Sequence, residues 1–491
     1  MAELESFEVA DGDTFGDLLS RDRIRSDEKL KIGLLAGGFF EYWRMYGTLK
    51  ETVEKDNEVV LKRLSQKHNI ISSFVDSVDS ADEAGRRFKD EQIDLLIITE
   101  RTYVPDMYIH QILSHIPSVP LLLYISQSRD TFDLQSDYEG TLRNSGMMSI
   151  VQLVAGFRKM NTYPRLEVVV GSIHDDVAYR EIDRYIDVAT IYKQLKTMTI
   201  GVIGHVFRGM FDFEYDKTMV KGVLGPEVLN VQIDHLLNLW ETISAEDADV
   251  RGLIEKVHST YQVVGVEEPD IIGAARVAVA LKRLIHRFRL DGLVLLGQHH
   301  VEAKTKATSY LGMAELHAEG KTPGVTEGDV LGLIMMKIMR HFTGLTPFFG
   351  EWAEFDVQRN AMMLLGHGYA DPTQAKKGTV PKITPTPEQW GFEGKGFSYE
   401  MTFDPGTVTF GHFIRDDKGW RMLISGGEIL DLPTMPIHDV SLLVRVERPI
   451  KEYIEILTKC GFAHHCIAVR GDIKKELSQM ADLMGMEKVF I

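Results

Sequence analysis

Short apolar runs alternate with charged, helix-period segments through the first two-thirds of this chain, and that alternation leaves few folds open. Lys31-Ile-Gly-Leu-Leu-Ala-Gly37 has the near-continuous apolarity of a strand covered on both faces. Its carboxyl end, at Gly37-Gly38, is the kind of place where an α/β sheet opens a crevice. A helical pattern follows over 42–65, then strand-like runs at 70–75, 93–98, 120–125 and 166–170, with a helical stretch over 178–195. Runs of this kind predict right-handed βαβ crossovers and a doubly wound parallel sheet. A second series opens with a strand at 199–203 and continues through strands at 229–233 and 292–296. Its helices are expected at 271–288 and 329–341.

After about residue 345 the character changes. Pro381-Lys-Ile-Thr-Pro-Thr-Pro387 reads as a loop or a sheet edge, because proline cannot donate to a ladder. Strand-like segments at 398–403, 407–414, 420–428 and 441–446 sit between turn signals, and helix returns over 449–459 and 473–484. The expected architecture is α/β: two doubly wound parallel-sheet domains followed by a β-rich, barrel-like C-terminal domain. The boundaries are an N-terminal arm at 1–28, domains at 29–195 and 196–345, and the β-rich domain at 346–491.

With 491 residues the chain exceeds what one ordinary core accommodates. A net charge of −17 speaks against nonspecific nucleic-acid binding and against anionic membrane surfaces. No apolar run approaches the roughly 20 residues of a membrane helix, and the acidic N-terminus lacks the layout of a signal peptide. The two cysteines, Cys460 and Cys466, exclude a disulfide framework. A cytoplasmic protein with a small-molecule ligand is the expectation.

Four strings in the last third carry chemistry: Thr326-Glu-Gly-Asp329, Phe348-Phe-Gly-Glu-Trp352, Leu364-Leu-Gly-His-Gly-Tyr369 and Gly461-Phe-Ala-His-His-Cys466. Glu327, Glu351, His367 and the terminal His pair are too far apart for a local metal finger, so only the fold can bring them together. Glu oxygens with His nitrogens suit a divalent ion that keeps positions open for a substrate. Each string also has a plainer reading. Thr326 with Asp329 resembles a capping box, and Glu354 competes with Glu351. A histidine after a strand is often structural. Histidines 464 and 465 on a strand would face opposite ways. The Cys460/Cys466 spacing fits no common zinc pattern. A further pair, His299-His300, follows the strand at 292–296 and suits a pocket wall or a solvated loop. The G-x-x-G at Gly201–Gly204 lacks the G-x-G-x-x-G spacing of a nicotinamide site.

Taken together, these strings resemble the L-arabinose isomerase family and its relatives in the L-fucose isomerase superfamily. The likeness runs through most of the chain, and the Ala-Ala-Arg276 helix matches the central domain, but it is specific in the C-terminal third. It implies metal ligation by Glu327, Glu351, His367 and His465, the second histidine of its pair. It implies Mn²⁺ foremost, with Co²⁺, Mg²⁺ or Fe²⁺ as alternatives, and an aldose–ketose isomerisation through a cis-enediol. Glu327 and Glu351 are then the proton-transfer pair, and His464 and Gln127 contact sugar hydroxyls. A homo-oligomer, trimer-based, is also implied. Two sugar-holding strings differ: Ala36-Gly-Gly-Phe-Phe-Glu-Tyr-Trp43 replaces Gly-Ser-Gln-His-Leu-Tyr-Gly, and Ser126-Gln127 lacks the histidine of His-Thr-Gln. These changes leave the sugar open, along with two other readings: a sugar-binding or regulatory protein, and a sugar epimerase or lyase.

Overall fold

The computed structural model describes residues 29–162, 165–206, 208–296, 298–387 and 396–491. The expected arm at 1–28 lies outside them. The described chain forms two compact units, one over 29–194 with 479–485 and one over 195–478 with 486–491.

The first unit is a five-stranded parallel sheet of order β2-β1-β3-β4-β5. Its strands are β1 (Lys31–Gly37), β2 (Asn69–Val75), β3 (Leu95–Glu100), β4 (Leu121–Gln127) and β5 (Leu166–Ser172). The order reverses at β1, so the carboxyl ends of β1 and β3 flank the switch point of a doubly wound sheet. Central β3 is buried along its whole length, which is why its sequence shows no polar alternation. The long helix expected over 42–65 is two helices, Phe40–Met45 and Leu49–Ser65. The break falls at Tyr46–Thr48, around Gly47, a poor helix former.

The second unit opens with a four-stranded parallel sheet of order β10-β9-β6-β7. It comprises β6 (Thr199–Ile203), β7 (Glu227–Val231), β9 (Gly292–Leu295) and β10 (Gly324–Thr326). The intervening β8 (Gln262–Val263) pairs elsewhere, against β13 (Lys382–Pro385), which also pairs β14 (Phe397–Glu400). The proline-rich segment is therefore the middle strand of a small sheet, not a loop or edge. Its prolines stand just before the strand, at its last residue and two residues past it, where a missing N–H costs least.

The remaining strands are β11 (Phe348–Asp356), β12 (Ala361–Leu365), β15 (Gly406–Asp416), β16 (Gly419–Ile429), β17 (Ser441–Val446), β18 (His465–Arg470) and β19 (Glu487–Phe490). They run β15-β18-β11-β12-β17-β16, and β16 pairs β15 again, closing a six-stranded barrel with β19 added alongside β16. Closure removes open edges. The helix Val330–Thr343 connects β10 to the barrel, its Met335 and Met339 packing on Gly411 of β15. Among the described residues no helix is long and apolar enough to cross a membrane.

Candidate active site

Glu327 occupies the turn between β10 and helix 330–343 with φ at 63°, followed by Gly328 at 88°. Two successive residues in the left-handed region swing the chain away from the strand direction. The Thr326 amide donates to the Tyr369 hydroxyl at 3.1 Å, tying this turn to the loop that carries His367. Glu351 lies on β11 directly across from His465 on β18 and Leu365 on β12. His367 stands two residues past β12. The fold thus brings all four residues of the expected ligand set to one place within the second unit.

His367 Nε2 lies 3.3 Å from Glu351 Oε1 and 3.6 Å from Glu327 Oε2. His465 Nε2 lies 3.4 Å from the same Glu327 oxygen. No hydrogen bond spans these gaps: Glu327 Oε2, both ring nitrogens of His367 and His465 Nε2 are buried without a hydrogen-bond partner. Buried polar atoms are rarely left so, and a cation placed among them would satisfy Glu327 Oε2, His367 Nε2 and His465 Nε2 together, leaving His367 Nδ1 apart. One atom each from Glu327, Glu351, His464 and His465 also lie within 4.8 Å of one another. Five side chains therefore surround the point. His367 contacts both carboxylates, while His464 belongs to the four-residue grouping and is also engaged through its Nδ1.

That engagement is with Asp212, whose Oδ2 accepts from His464 Nδ1 at 2.7 Å and from the His464 amide at 3.2 Å. Phe213 packs its ring 4.7 Å from His464 and 4.3 Å from His465. The two histidine rings lie 4.6 Å apart and share the site instead of facing opposite ways. Strand β18 begins only at His465, so strand alternation does not govern His464.

Behind His465, Asp329 is fully buried and caps helix 330–343 by accepting from the Gly332 amide. The cap is Asp329, not Thr326, because the turn at 327–328 starts the helix three residues later. Asp329 also accepts from His465 Nδ1 at 3.1 Å and His412 Nε2 at 3.0 Å.

Burial alone would raise the Glu327 carboxyl, but His367 and His465 hold it well below the usual carboxylate range. Glu351 is likewise lowered, His367 outweighing its burial. Burial depresses His367, yet the two glutamates push it up to about 10. Burial pushes Asp439, which accepts from the Gly368 amide, up to about 6.

Three candidates stand apart. Glu354 is exposed beyond a bulge at Trp352–Glu354, so Glu351 has no rival. Gln127 ends β4 in the first unit, its carbonyl accepting from the Ile173 amide. Arg276 donates to the Ile243 carbonyl and stacks 4.3 Å from the Trp240 ring, a packing role. Gly297 and the side chain of His299 lie outside the described residues, and His300 is exposed. Both cysteines are free, and burial raises the Cys466 thiol.

No protein-family model matches the chain. Curated proteins do. Sulfoquinovose isomerase of Clostridium sp. (strain MSTE9) is 24% identical over 408 residues, 80% of this chain and 85% of that protein. Sulfoquinovose isomerase of Priestia aryabhattai is 22% identical over 66% of this chain and 71% of its own. L-arabinose isomerase of Shouchella clausii is 22% identical over 66% and 67% respectively. These similarities support a place for the chain as a divergent member of the L-arabinose isomerase-like family. An Agrobacterium vitis ABC transporter solute binding protein bound with alpha-D-tagatopyranose aligns at a TM-score of 0.14 with 11% identity, over 65% of this chain and 90% of that one. That likeness is too weak to bear on the fold.

Proposed function

We propose that this chain is a metal-dependent isomerase interconverting an aldose and a ketose, a pentose or hexose, through a cis-enediol. The observation that carries the reading is the convergence of Glu327, Glu351, His367 and His465, with the facing atoms of Glu327, His367 and His465 buried and unpartnered. The sugar isomerases among the relatives support it. Those four side chains would hold a divalent ion, Mn²⁺ first in order. Bound there, it would supply Lewis-acid stabilisation of charge developing on neighbouring sugar oxygens.

The protein's part is to hold and move protons. Glu351 is the more accessible carboxylate, its side chain 33% exposed against 15% for Glu327, so it is assigned the proton transfer at carbon. Glu327, wedged against two imidazoles, is assigned the exchange between the sugar oxygens. Each transfer contributes about 10²–10⁴-fold. His464, aimed by Asp212, offers its Nε2 to a sugar hydroxyl, and Phe213 walls the same side. Gln127 is retained as a sugar contact on the resemblance alone. So is a trimer-based homo-oligomer, which light scattering on the purified chain would test, while a cytoplasmic setting is retained on the sequence alone.

The experiment is ketose formation by metal-stripped protein, with and without restored Mn²⁺, across a panel containing L-arabinose, L-fucose and sulfoquinovose. Activity on one sugar, dependent on added ion, is expected. Turnover that is indifferent to chelation would overturn the metal assignment. A silent panel with ion bound would turn the reading toward a sugar-binding protein or a lyase.

A further inference from the structure

Asp329 and His412 are buried beneath the candidate ligands, and the proposed reaction uses neither directly. Each is 1% exposed. Asp329 Oδ1 accepts from the Gly332 amide at 2.7 Å, while Oδ2 accepts from His465 Nδ1 and His412 Nε2. The other nitrogen of His412 donates to the Phe413 carbonyl at 2.8 Å. A carboxylate and a carbonyl only accept, so His412 is a donor at both nitrogens and has no lone pair for a ligand or a base. Neutral His465, the form that can ligate a metal, carries its proton on Nδ1 toward Asp329 and its lone pair on Nε2. That is the unpartnered atom beside Glu327. The chain also makes room for the carboxylate: a Cβ at Gly332 would lie 2.2 Å from Asp329 Oδ2.

We propose that His412 is a positioning residue of the metal centre. By holding Asp329 Oδ2 it fixes the carboxylate that sets the tautomer and ring orientation of His465. This rests on the metal-centre reading above. Outer-shell partners of this kind orient a ligand and raise its affinity, and losing one costs about 10–100-fold in metal binding.

The test is the Mn²⁺ dissociation constant of the full-length chain, from the electron paramagnetic resonance of free Mn²⁺, for the unaltered protein, His412→Gln, His412→Asn and Gly332→Ala. Glutamine places its amide nitrogen near the original Nε2 and keeps the donor to Asp329. Asparagine reaches only the Nδ1 position and keeps the bond to the Phe413 carbonyl. His412→Gln is expected to bind within about threefold of the unaltered chain, and His412→Asn to lose about 10–100-fold. Unaltered affinity in His412→Asn overturns the proposal. So does an equal loss in both variants, because a merely structural histidine would be missed alike. Gly332→Ala displaces Asp329 without changing His412, and it decides the matter if neither His412 variant folds. Weakened binding in a cooperatively melting protein supports the proposal, and unaltered binding overturns it. An unaltered chain that binds no Mn²⁺ overturns the metal-centre reading itself, a separate result.

Discussion

His367 is the residue whose state changes most if an ion is bound. Its pKa of about 10 in the metal-free chain keeps it protonated at pH 7.5. A ligating imidazole must be neutral, so loading the site expels that proton. Calorimetry of Mn²⁺ binding at pH 7.5 in two buffers of different ionisation enthalpy is expected to show about one proton released per ion. His367→Gln is expected to show almost none, and no release from the unaltered protein would contradict the assignment. The carboxylates separate by exposure. Glu351→Gln is expected to lower kcat by about 10²–10⁴-fold while a metal-induced stability increment persists. Glu327→Gln is expected to lose that increment, since its oxygen is shared by His367 and His465. Residue types and spacing marked the four strings, and the family resemblance, not the spacing, implied which of their side chains would meet. Asp212 and His412 were not, because an aspartate 252 residues from its histidine and a histidine inside a strand leave no local signature. Asp329 was visible only as the capping-box partner of Thr326, whereas it is itself the cap and also grips His465.

Between residue and fold, the turn at Glu327-Gly328 decides where the first carboxylate points. A Cβ at Gly328 would sit 2.9 Å from the Val206 Cα, at a φ of 88°. Gly328→Ala is expected to destabilise the protein by about 1–2 kcal/mol for the left-handed backbone. Metal affinity should fall with it as Glu327 is re-aimed. Chemical denaturation and Mn²⁺ titration check the two effects. Elements with strong apolar runs are the ones read correctly: β1, β6 and β17 begin and end at the expected residues. The errors have local causes. The run expected as a strand at 229–233 starts earlier and ends at Val231, with a helix beginning at Ile233. An apolar run of that length fits either structure. The segment at 381–387 was judged by its prolines, and long-range pairing with β8 and β14 decided instead.

At the scale of the molecule, the α/β alternation and the β-rich, barrel-like end were legible, while the strand order that closes the barrel was not. The β15–β16 hairpin joins neighbours, but the ladders of β18 with β11 and β15 span distant sequence that no periodicity reports. The site's charges also tie stability to pH. Glu327, Glu351 and Asp329 have depressed pKa values. They add stability above the unfolded carboxylate range of about 4, lost as pH falls. His367 is raised, so its contribution is full below about 6.5 and is lost as pH climbs toward 10. The melting temperature of the metal-free protein minus that of His367→Gln is therefore expected to decline between those two values. A flat difference would contradict the sign. Mn²⁺ at a hundred times its dissociation constant should add about 2.7 kcal/mol, read as slower amide exchange in β10, β11 and β18. The most direct test of the whole account is NMR of the isomerised sugar made in D₂O by the Mn²⁺-loaded protein, with the ion chelated before spectra are taken. The account predicts a ketose or aldose product carrying deuterium at C1 or C2, with incorporation abolished in Glu351→Gln. Product formed without deuterium, at full rate in Glu351→Gln, would contradict proton transfer by this pair of carboxylates.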